Sequence, residues 1–525
     1  MKKILAYFIG IAVLFSFSAC TQDFLQTSPT DSTSGTTIFK TDASALVALN
    51  GIYRSMYISG WTVSNTHQNF GNLSTNLFAD LMGEDMVQNE QGSGWFWYDY
   101  TYTVRSRYTS TSWRSYATWN YYYTLICNAN YIIAQKDNIG GDVNKVKYIL
   151  ASAYAIRAYS YFYLIQVFQQ TYKGHETSPG VPLYTEPTTS SSIGKPRGTV
   201  EDVYTQINLD IDQAITLFKA SGVSQMDKSH IDYYVANGIK AKIALVQNNW
   251  QVAATAAAEA LTKPGLNLMP KTSVTAGNNK VTLGGVMWGS TIIADQATVY
   301  ASFFSHMDPT AGMYGASSRK CISSWLYGQI PSTDIRKSLW NGKLTTNATS
   351  GSGVSYCQLK FLFSDKTAYL GDYIYMRAEE FLLIEAESKC RLGDYAGART
   401  LLTQLGAVRD SNYPARLALF TDSKDITKDA YGTLSAAPVT TLLDEILFQR
   451  RVELWGEAGR IFDIQRLGVG FTRKFTGTNH PSAGQLSSFA DGERTAAYKE
   501  FILTIPQSEF DGNTSLNQQT DQNPM

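Results

Sequence analysis

Four closely spaced glutamates are the residues of this sequence best suited to acid–base chemistry: Glu379, Glu380, Glu385 and Glu387. A glycosidase needs one carboxyl group as an acid and a second as a nucleophile or base, placed across a sugar bond. The four glutamates instead share one predicted helix with Arg377 and Lys389. Carboxylates three or four residues from a cation on a helix form pairs that stabilise it by about 0.2–0.5 kcal/mol each. We therefore interpret them as structural and predict no catalytic residue.

A second charged cluster lies towards the C-terminus and consists of Arg450, Arg451, Glu453, Glu457, Arg460 and Asp463. We interpret this cluster likewise as a network of ion pairs in the frame of the protein. If it is buried, the loss of one partner costs about 3–5 kcal/mol, because an uncompensated charge remains.

Aromatic residues are better candidates for ligand binding, since 33 Tyr, 24 Phe and 10 Trp make up 13% of the chain. Residues 92–100 (GSGWFWYDY) are rich in them directly after Gly-Ser-Gly. An indole or phenol ring can stack on the apolar face of a sugar ring, while Asn, Asp and Gln side chains bind its hydroxyl groups. The predicted ligand-binding residues are Trp95, Trp97, Tyr98, Trp288, Tyr314 and Trp325, with Trp61 and Tyr327 in the same irregular regions.

The aromatic segment also permits a purely structural interpretation. Trp95, Trp97 and Asp99 alternate as side chains do on one face of a strand, which would bury the Trp side. Many of the other tyrosines are expected to pack between helices.

The charge balance and the missing motifs exclude several function classes. The 44 basic residues equal the 44 acidic ones, so the chain lacks the basic field that nucleic-acid binding needs. The five histidines are scattered, and no HExxH, Walker or GxGxxG motif is present. We therefore predict no metal, no cofactor and no nucleic-acid partner.

The first twenty residues have the pattern of a targeting segment. Lys2 and Lys3 precede an apolar run over residues 4–17, which is too short to span a bilayer. The run ends at Phe-Ser-Ala-Cys20, like the lipobox of a bacterial lipoprotein precursor, whose new N-terminal cysteine carries acyl chains such as palmitate. Residues 1–19 are thus predicted to be a lipoprotein signal peptide and residues 20–41 a lipidated tether. An ordinary signal peptide with an incidental cysteine is the alternative.

The remaining cysteines are Cys127, Cys321, Cys357 and Cys390. Four cysteines allow three disulfide pairings, and their spacing does not select one. Free buried thiols are an equal alternative.

Helical periodicity predicts the elements that must position these residues. Helices are expected from Asp42, over residues 145–168, from Val200 and over residues 442–464. Residues 233–247 are followed by Trp250, and residues 375–390 are followed by Tyr395. In both segments, small or apolar residues occupy the third and the seventh position after this aromatic residue. This spacing is typical of tetratricopeptide helix pairs, in which small residues let two helices approach closely. Two unrelated helical hairpins are the alternative.

Two long segments lose the helical period. Residues near 58–113 and 264–370 are rich in Gly, Ser, Thr, Asn and aromatics. Loops of this length on a rigid frame are usually functional. The predicted fold is therefore mainly α-helical, with tetratricopeptide-like helix pairs and an irregular, loop-rich part that binds the ligand.

Several ordered blocks resemble the SusD-like (RagB/SusD) family of outer-membrane nutrient-uptake lipoproteins. The blocks are residues 153–162 with Gly180-Val181-Pro182-Leu183; Arg197 with Val203-Tyr204 and Asp210-Ile211; residues 375–380 with 384–387; Glu445-Ile446, residues 450–454, Glu457, Arg460, Asp463 and Arg466-Leu467-Gly468; and Ile505-Pro506, Glu509 and Asn513 with Gln522-Asn523-Pro524. Gln449 and Ala458 depart from the family pattern, which usually has Glu and Gly there.

The resemblance implies a SusD-like body over residues 42–525 that binds an oligosaccharide at the cell surface. It also implies an outer-membrane location through the lipid anchor and a partner, a SusC-like TonB-dependent transporter. A secreted glycan-processing enzyme and a tetratricopeptide-like adaptor that binds peptides are the alternatives. A peptide or glycopeptide ligand is a further alternative, since the family covers more than starch.

Overall fold

The computed structural model describes residues 38–62, 66–103, 109–189, 191–344, 353–427, 440–486, 493–494 and 499–524. The predicted signal peptide, Cys20 and most of the predicted tether lie outside these residues. Within them the protein is mainly α-helical, as expected. No described helix is both long and apolar enough to cross a membrane.

The helices of eight or more described residues are α1 (Asp42–Ser55), α2 (Asn72–Met82), α3 (Trp113–Ala134), α4 (Val143–Phe168), α5 (Val200–Ser221), α6 (Tyr233–Val246), α7 (Trp250–Leu261), α8 (Ala378–Leu392), α9 (Tyr395–Ala407), α10 (Leu442–Glu453) and α11 (Arg460–Leu467). Shorter helices are Trp97–Tyr100, Lys271–Val274, Phe303–Met307, Tyr314–Ser317, Ser324–Gln329, Tyr413–Leu417, Gln507–Gly512 and Gln518–Asp521.

The described strands are short and form four antiparallel pairs. They are β1 (Met86–Gln88) with β5 (Lys320–Ile322), β2 (Pro179–Pro182) with β3 (Arg197–Thr199), β4 (Val286–Ser290) with β6 (Tyr373–Arg377), and β7 (Phe471–Thr472) with β8 (Glu493–Arg494).

The two predicted helix pairs are present and pack on each other. α6 and α7 form one hairpin, α8 and α9 form the other, and α7 lies against both α6 and α8. A Cβ atom at Gly238 would lie 2.8 Å from the Phe381 ring, so glycine lets α6 approach α8 closely. The small residues Ala253 and Ala257 are fully buried on α7. The tetratricopeptide-like prediction is confirmed.

The central helices α4 and α5 extend this stack, because α5 packs against α6. α4 in turn packs against both α3 and α5. The predicted helix over residues 145–168 is confirmed, but from Tyr148 onwards it is buried on nearly every side. A buried ion pair fixes its position: Nε of Arg157 on α4 donates to the Asp210 carboxylate on α5 at 2.8 Å.

Four elements differ from the predictions, and the first is α3, a helix that the sequence analysis did not predict. The predicted helix from residue 375 begins only at α8, because Arg377 is extended (φ −142°) and pairs in β6. The predicted helix over residues 442–464 is broken between α10 and α11, where Gly456 and Gly459 have positive φ. α2 lies inside the irregular segment 58–113, and all of its residues are buried. Its apolar residues Leu73, Leu77 and Leu81 do repeat at helical spacing, but the composition of the surrounding segment favoured an irregular structure.

The charged cluster of the C-terminal helices is a buried ion-pair network. Glu453 on α10 accepts hydrogen bonds from Arg377 at 2.7 Å, from Arg336 at 2.9 Å and from Arg409 at 2.9 Å. Burial opposes ionisation of Glu453, but the three guanidinium groups outweigh it and hold the pKa of its carboxyl well below the ordinary value. The structural interpretation of this cluster is confirmed.

The four glutamates of α8 belong to the same frame. They are buried, and their ion-pair partners are Arg409 for Glu379 (2.9 Å), Lys242 for Glu380 (3.1 Å), Lys389 for Glu385 (3.8 Å) and Arg466 for Glu387 (2.7 Å). The ion pairing that was predicted for them is present. However, three of these four partners come from other elements rather than from α8 itself.

Candidate functional site

Four rings from the two irregular segments meet at the protein surface. They are His67, Trp95, Tyr300 and Tyr314, which together we name the aromatic platform. Tyr300 is 49% exposed, more than the other exposed tyrosines, Tyr116 and Tyr131. The other three rings are partly buried. Exposed ring faces of this kind are what a ligand with an apolar face can stack on.

The platform rings contact one another closely. The centroid of His67 lies 5.5 Å from that of Tyr300 in a stacked arrangement, and 5.2 Å from that of Trp95. Tyr314 lies 5.6 Å from Tyr300 and meets Trp95 edge-on at 5.9 Å. Nδ1 of His67 is 2.6 Å from the Tyr314 hydroxyl oxygen. These contacts fix the rings in one arrangement before any ligand binds.

The pairing of β1 with β5 brings the two segments together. Just beyond these strands, the amide of Asn89 donates to the Arg319 carbonyl at 3.1 Å. The Ser318 hydroxyl, at the end of the short helix Tyr314–Ser317, donates to the Glu90 carbonyl at 2.8 Å. Both contacts hold the turn that leads to Trp95 against the helix that carries Tyr314.

Buried polar contacts support the turn from below. Phe96 follows Trp95 in a left-handed conformation (φ 60°), and its amide donates to the Gln68 side chain at 2.6 Å. Arg114 donates to the same Gln68 oxygen at 3.0 Å and forms a buried ion pair with Asp99 at 2.7 Å. The chain therefore has to leave the regular strand conformation at Phe96. The alternative interpretation of this segment as a strand is wrong.

His306 supports the platform without carrying a charge. Its ring stacks on Tyr314 at 5.0 Å, and its Nε2 lies 2.6 Å from the His67 carbonyl oxygen. Because a carbonyl can only accept, Nε2 carries the proton. Burial lowers the pKa of His306 well below its ordinary value, so the imidazole is neutral at physiological pH.

The comparisons with known families decide the identity of the chain. Residues 24–245 match a family model described as starch-binding and associating with the outer membrane. Residues 327–524 match the model of the SusD family. This chain belongs to the SusD-like family.

Relatives of this SusD-like chain cover nearly all of its length. SusD-like protein P2 of Formosa agariphila is 25% identical and covers 98% of this chain, which spans 99% of the relative. A SusD-like carbohydrate binding protein from Bacteroides vulgatus is 23% identical, with a TM-score of 0.73 over 93% of this chain and 99% of that one. A laminarin binding SusD-like protein is 20% identical, with a TM-score of 0.63 over 93% and 100%. These solved structures share the fold.

Two of the predicted ligand-binding residues, Trp95 and Tyr314, lie together in the platform of this SusD-like chain. Trp97 and Tyr98 come next in the short helix after Trp95 and are partly buried. Trp97 packs against Tyr100 with a centroid distance of 5.7 Å. These two residues border the platform without belonging to its ring cluster.

The other two predicted residues lie away from the platform. Trp288 is 0% exposed in β4, where its indole N–H donates to the Ser229 carbonyl at 2.9 Å. The prediction that Trp288 contacts a ligand is therefore corrected, because its ring is enclosed by Tyr159 and Tyr375. Trp325 is partly buried, and the Arg451 guanidinium lies 5.2 Å from its ring centroid.

His67 and Tyr300 were missed by the sequence interpretation. His67 is one of five scattered histidines, and Tyr300 is a single tyrosine between Val299 and Ala301. Neither has a spacing that predicts a site. The available signal was their position in the two irregular segments that also carry Trp95 and Tyr314.

A deeper cleft lies elsewhere, between α3, the loop after β2 and the helix Gln507–Gly512. It has a volume of about 420 Å³ and is lined partly by Trp119, Tyr123 and Glu509. The Trp119 ring packs edge-on against Phe168 at 4.9 Å and lies 4.8 Å from Tyr123, while its N–H donates to Glu509 at 3.0 Å. These rings are used in packing, so we regard the platform as the better ligand site.

The described residues contain no group of three or more His, Cys, Asp or Glu side chains that could hold a metal ion. The platform rings themselves include no carboxylate. Their chemistry is ring stacking together with hydrogen bonds from phenol hydroxyls and an imidazole.

Proposed function

We propose that this SusD-like protein captures oligosaccharides on the aromatic platform and passes them to a SusC-like TonB-dependent transporter in the outer membrane. The observation that carries the proposal is the preassembled cluster of His67, Trp95, Tyr300 and Tyr314, with Tyr300 half exposed. Rigid aromatic rings give contact area without requiring a counter-charge on the ligand. A sugar chain with apolar ring faces and many hydroxyl groups fits such a surface.

The charge of the chain supports a neutral ligand. Its 44 basic and 44 acidic residues cancel, and none of the four platform rings belongs to a residue that is always charged. The names of similar proteins agree with this ligand class, since they refer to starch, laminarin and carbohydrate. For this chain we propose the class of neutral oligosaccharides.

We propose further that the protein is anchored at the cell surface through lipid on Cys20. The support is the sequence pattern of a short apolar run that ends at this cysteine. Two or more acyl chains anchor a protein stably, whereas one chain binds a membrane only reversibly. Labelling with a radioactive fatty acid tests this point: the wild type should be labelled and Cys20→Ala should not. Equal labelling would contradict it.

A glycan array probed with the full chain tests the binding function. Neutral glucans, such as maltoheptaose and laminarihexaose, should be among the bound probes and should be recovered uncleaved. Cleavage products would instead identify a glycan-processing enzyme. Binding of peptides alone would identify an adaptor.

Recovery of a β-barrel transporter with the tagged protein from mild detergent tests the partnership separately. Repeated recovery of soluble enzymes without a transporter would contradict it.

A further inference from the structure

Cys321 and Cys357 face each other directly across two chain segments. Cys321 lies in the middle of β5, and an isolated antiparallel bridge pairs it with Cys357. Both are fully buried, with exposures of 1% and 0%. Both are thiols in this structure.

The hydrogen bonds around this bridge define its geometry. The flanking bonds run from the Ile322 amide to the Tyr356 carbonyl (3.0 Å) and from the Gln358 amide to the Lys320 carbonyl (3.0 Å). The two cysteines therefore form a non-hydrogen-bonded antiparallel pair. In such pairs the Cα atoms are about 4.5 Å apart and the side chains point to the same face. A disulfide requires Cα atoms about 4.4–6.8 Å apart, so the backbone already satisfies its requirement.

The other two described cysteines have different partners. Sγ of Cys127 lies 3.2 Å from the Thr188 hydroxyl, and Sγ of Cys390 lies 3.3 Å from the Ser423 carbonyl. Sγ of Cys357 lies 3.8 Å from the Gln358 carbonyl, and Cys321 faces Cys357 directly across the bridge. Among the three pairings that the sequence leaves open, this geometry selects one. We propose that Cys321 and Cys357 form an intramolecular disulfide as the protein folds outside the cytoplasm.

The bond forms by two thiol–disulfide exchanges with an oxidised thiol–disulfide oxidoreductase. One cysteine thiolate attacks a sulfur of the oxidant's disulfide, which gives a mixed disulfide and releases one thiolate of the oxidant. The second cysteine thiolate then attacks the mixed disulfide and releases the other thiolate. The two protons lost by the protein thiols pass to the released thiolates. Two cysteines are thereby oxidised, and the oxidant is reduced to a dithiol.

The burial of the pair determines when this reaction takes place. The neighbouring Cys357 thiol, together with burial, raises the pKa of the Cys321 thiol well above its ordinary value. The reactive thiolate is therefore scarce once β5 is closed. Oxidation is expected during folding, before the pair is enclosed.

The disulfide lies next to the strand that assembles the platform. β5 pairs with β1, and the segment that includes Cys357 pairs with β5 on its other side. A covalent link there fixes β5, the strand whose pairing with β1 joins the two irregular segments. The inference rests on the proposed function in one respect, namely that the protein is exported and so meets an oxidant. Thiol mapping does not depend on glycan binding, so the two proposals can fail separately.

Differential alkylation of the exported full chain tests the proposal. The chain is unfolded without reductant and treated with iodoacetamide, then reduced and treated with N-ethylmaleimide, and each cysteine peptide is identified by mass spectrometry. Cys321 and Cys357 should carry N-ethylmaleimide, the second label, whereas Cys127 and Cys390 should carry the carbamidomethyl group from iodoacetamide, the first label. The same chain retained in the cytoplasm should carry only the first label on these four residues.

Matched variants identify the partner of each thiol. In Cys321→Ser, the Cys357 peptide should change to the first label, whereas in Cys127→Ser both paired cysteines should keep the second. The wild-type mapping does not depend on whether a variant folds. Iodoacetamide labelling of both Cys321 and Cys357 in the exported wild type, or a linkage of either one to another cysteine, would overturn the proposal.

Discussion

The imidazole Nδ1 of His67 lies 2.6 Å from the hydroxyl oxygen of Tyr314, although 247 positions separate the two residues in the chain. The first belongs to the irregular segment before α3 and the second to the irregular segment before α8. Neither segment forms the platform alone, because each supplies two of its four rings. The pairing of β1 with β5 holds these two segments together.

Truncation of the platform should weaken oligosaccharide binding without loss of the fold. Tyr300 is 49% exposed, so Tyr300→Ala removes ring area that we propose to contact the ligand but little of the core. Loss of a stacking aromatic residue typically costs about 2 kcal/mol, near thirty-fold in affinity. Isothermal titration of Tyr300→Ala and Trp95→Ala with the best ligand from the array should show this loss, and the melting temperature of Tyr300→Ala should be unchanged.

Tyr131→Ala is the matched control for these variants. Tyr131 is also a partly exposed tyrosine (38%), but it lies on α3 and its hydroxyl donates to the Thr188 carbonyl away from the platform. Its removal should leave the affinity unchanged. Equal losses in Tyr131→Ala and Tyr300→Ala would show that the platform is not the binding site.

Binding should be almost independent of salt. A neutral sugar held by ring stacking and hydrogen bonds forms no ion pair that added ions could screen. The dissociation constant measured at about 0.05 M and about 1 M sodium chloride should differ by less than about twofold. A steep loss of affinity in high salt would instead identify an anionic ligand.

Periodicity predicted much of the frame, because apolar residues repeat at helical spacing in α4 to α7. α2 was missed because its segment, rich in Gly, Asn and aromatic residues, was interpreted as irregular from its composition, and α3 was not predicted at all. The platform could be predicted only in part. Trp95 and Tyr314 were found as aromatic residues in irregular segments, but the same reasoning selected Trp288, which is enclosed in the core. The sequence around a tryptophan in an irregular segment does not show whether its side chain is buried. The pairing of β1 with β5 joins strands that are distant in the sequence, so no local sequence pattern predicts it.

The buried charge network should be sensitive to the loss of one carboxylate. Glu453→Gln leaves Arg336, Arg377 and Arg409 without the anion that they share. We expect a decrease in the free energy of unfolding of about 3–5 kcal/mol in urea denaturation at pH 7. The control is Asp212→Asn, which breaks an exposed pair with Lys240 and should cost less than about 1 kcal/mol. Similar effects of both variants would contradict the structural role of the network.

Asp80 should make stability fall as the pH rises. Burial raises the pKa of its carboxyl to about 8, although the Arg460 amide donates to it at 2.8 Å. In the unfolded chain an aspartate has a pKa of about 4. Between these two values the unfolded state has released a proton that the folded state still holds, so raising the pH favours unfolding. Asp80→Asn removes this penalty. The melting temperature of the variant minus that of the wild type should therefore increase as the pH is raised from 5 to 8.

Asp463→Asn should have the opposite pH dependence. Burial opposes ionisation of Asp463, but Arg450 and Arg466 outweigh it and hold the pKa of its carboxyl well below the ordinary value. Its contribution to stability is therefore present above about pH 4 and is lost as the pH falls towards the folded-state pKa. Asp463→Asn should be less stable than the wild type at pH 7, and the difference should narrow in acid. If Asp80→Asn and Asp463→Asn shift the melting temperature in the same direction at pH 8, the assigned charge states are wrong.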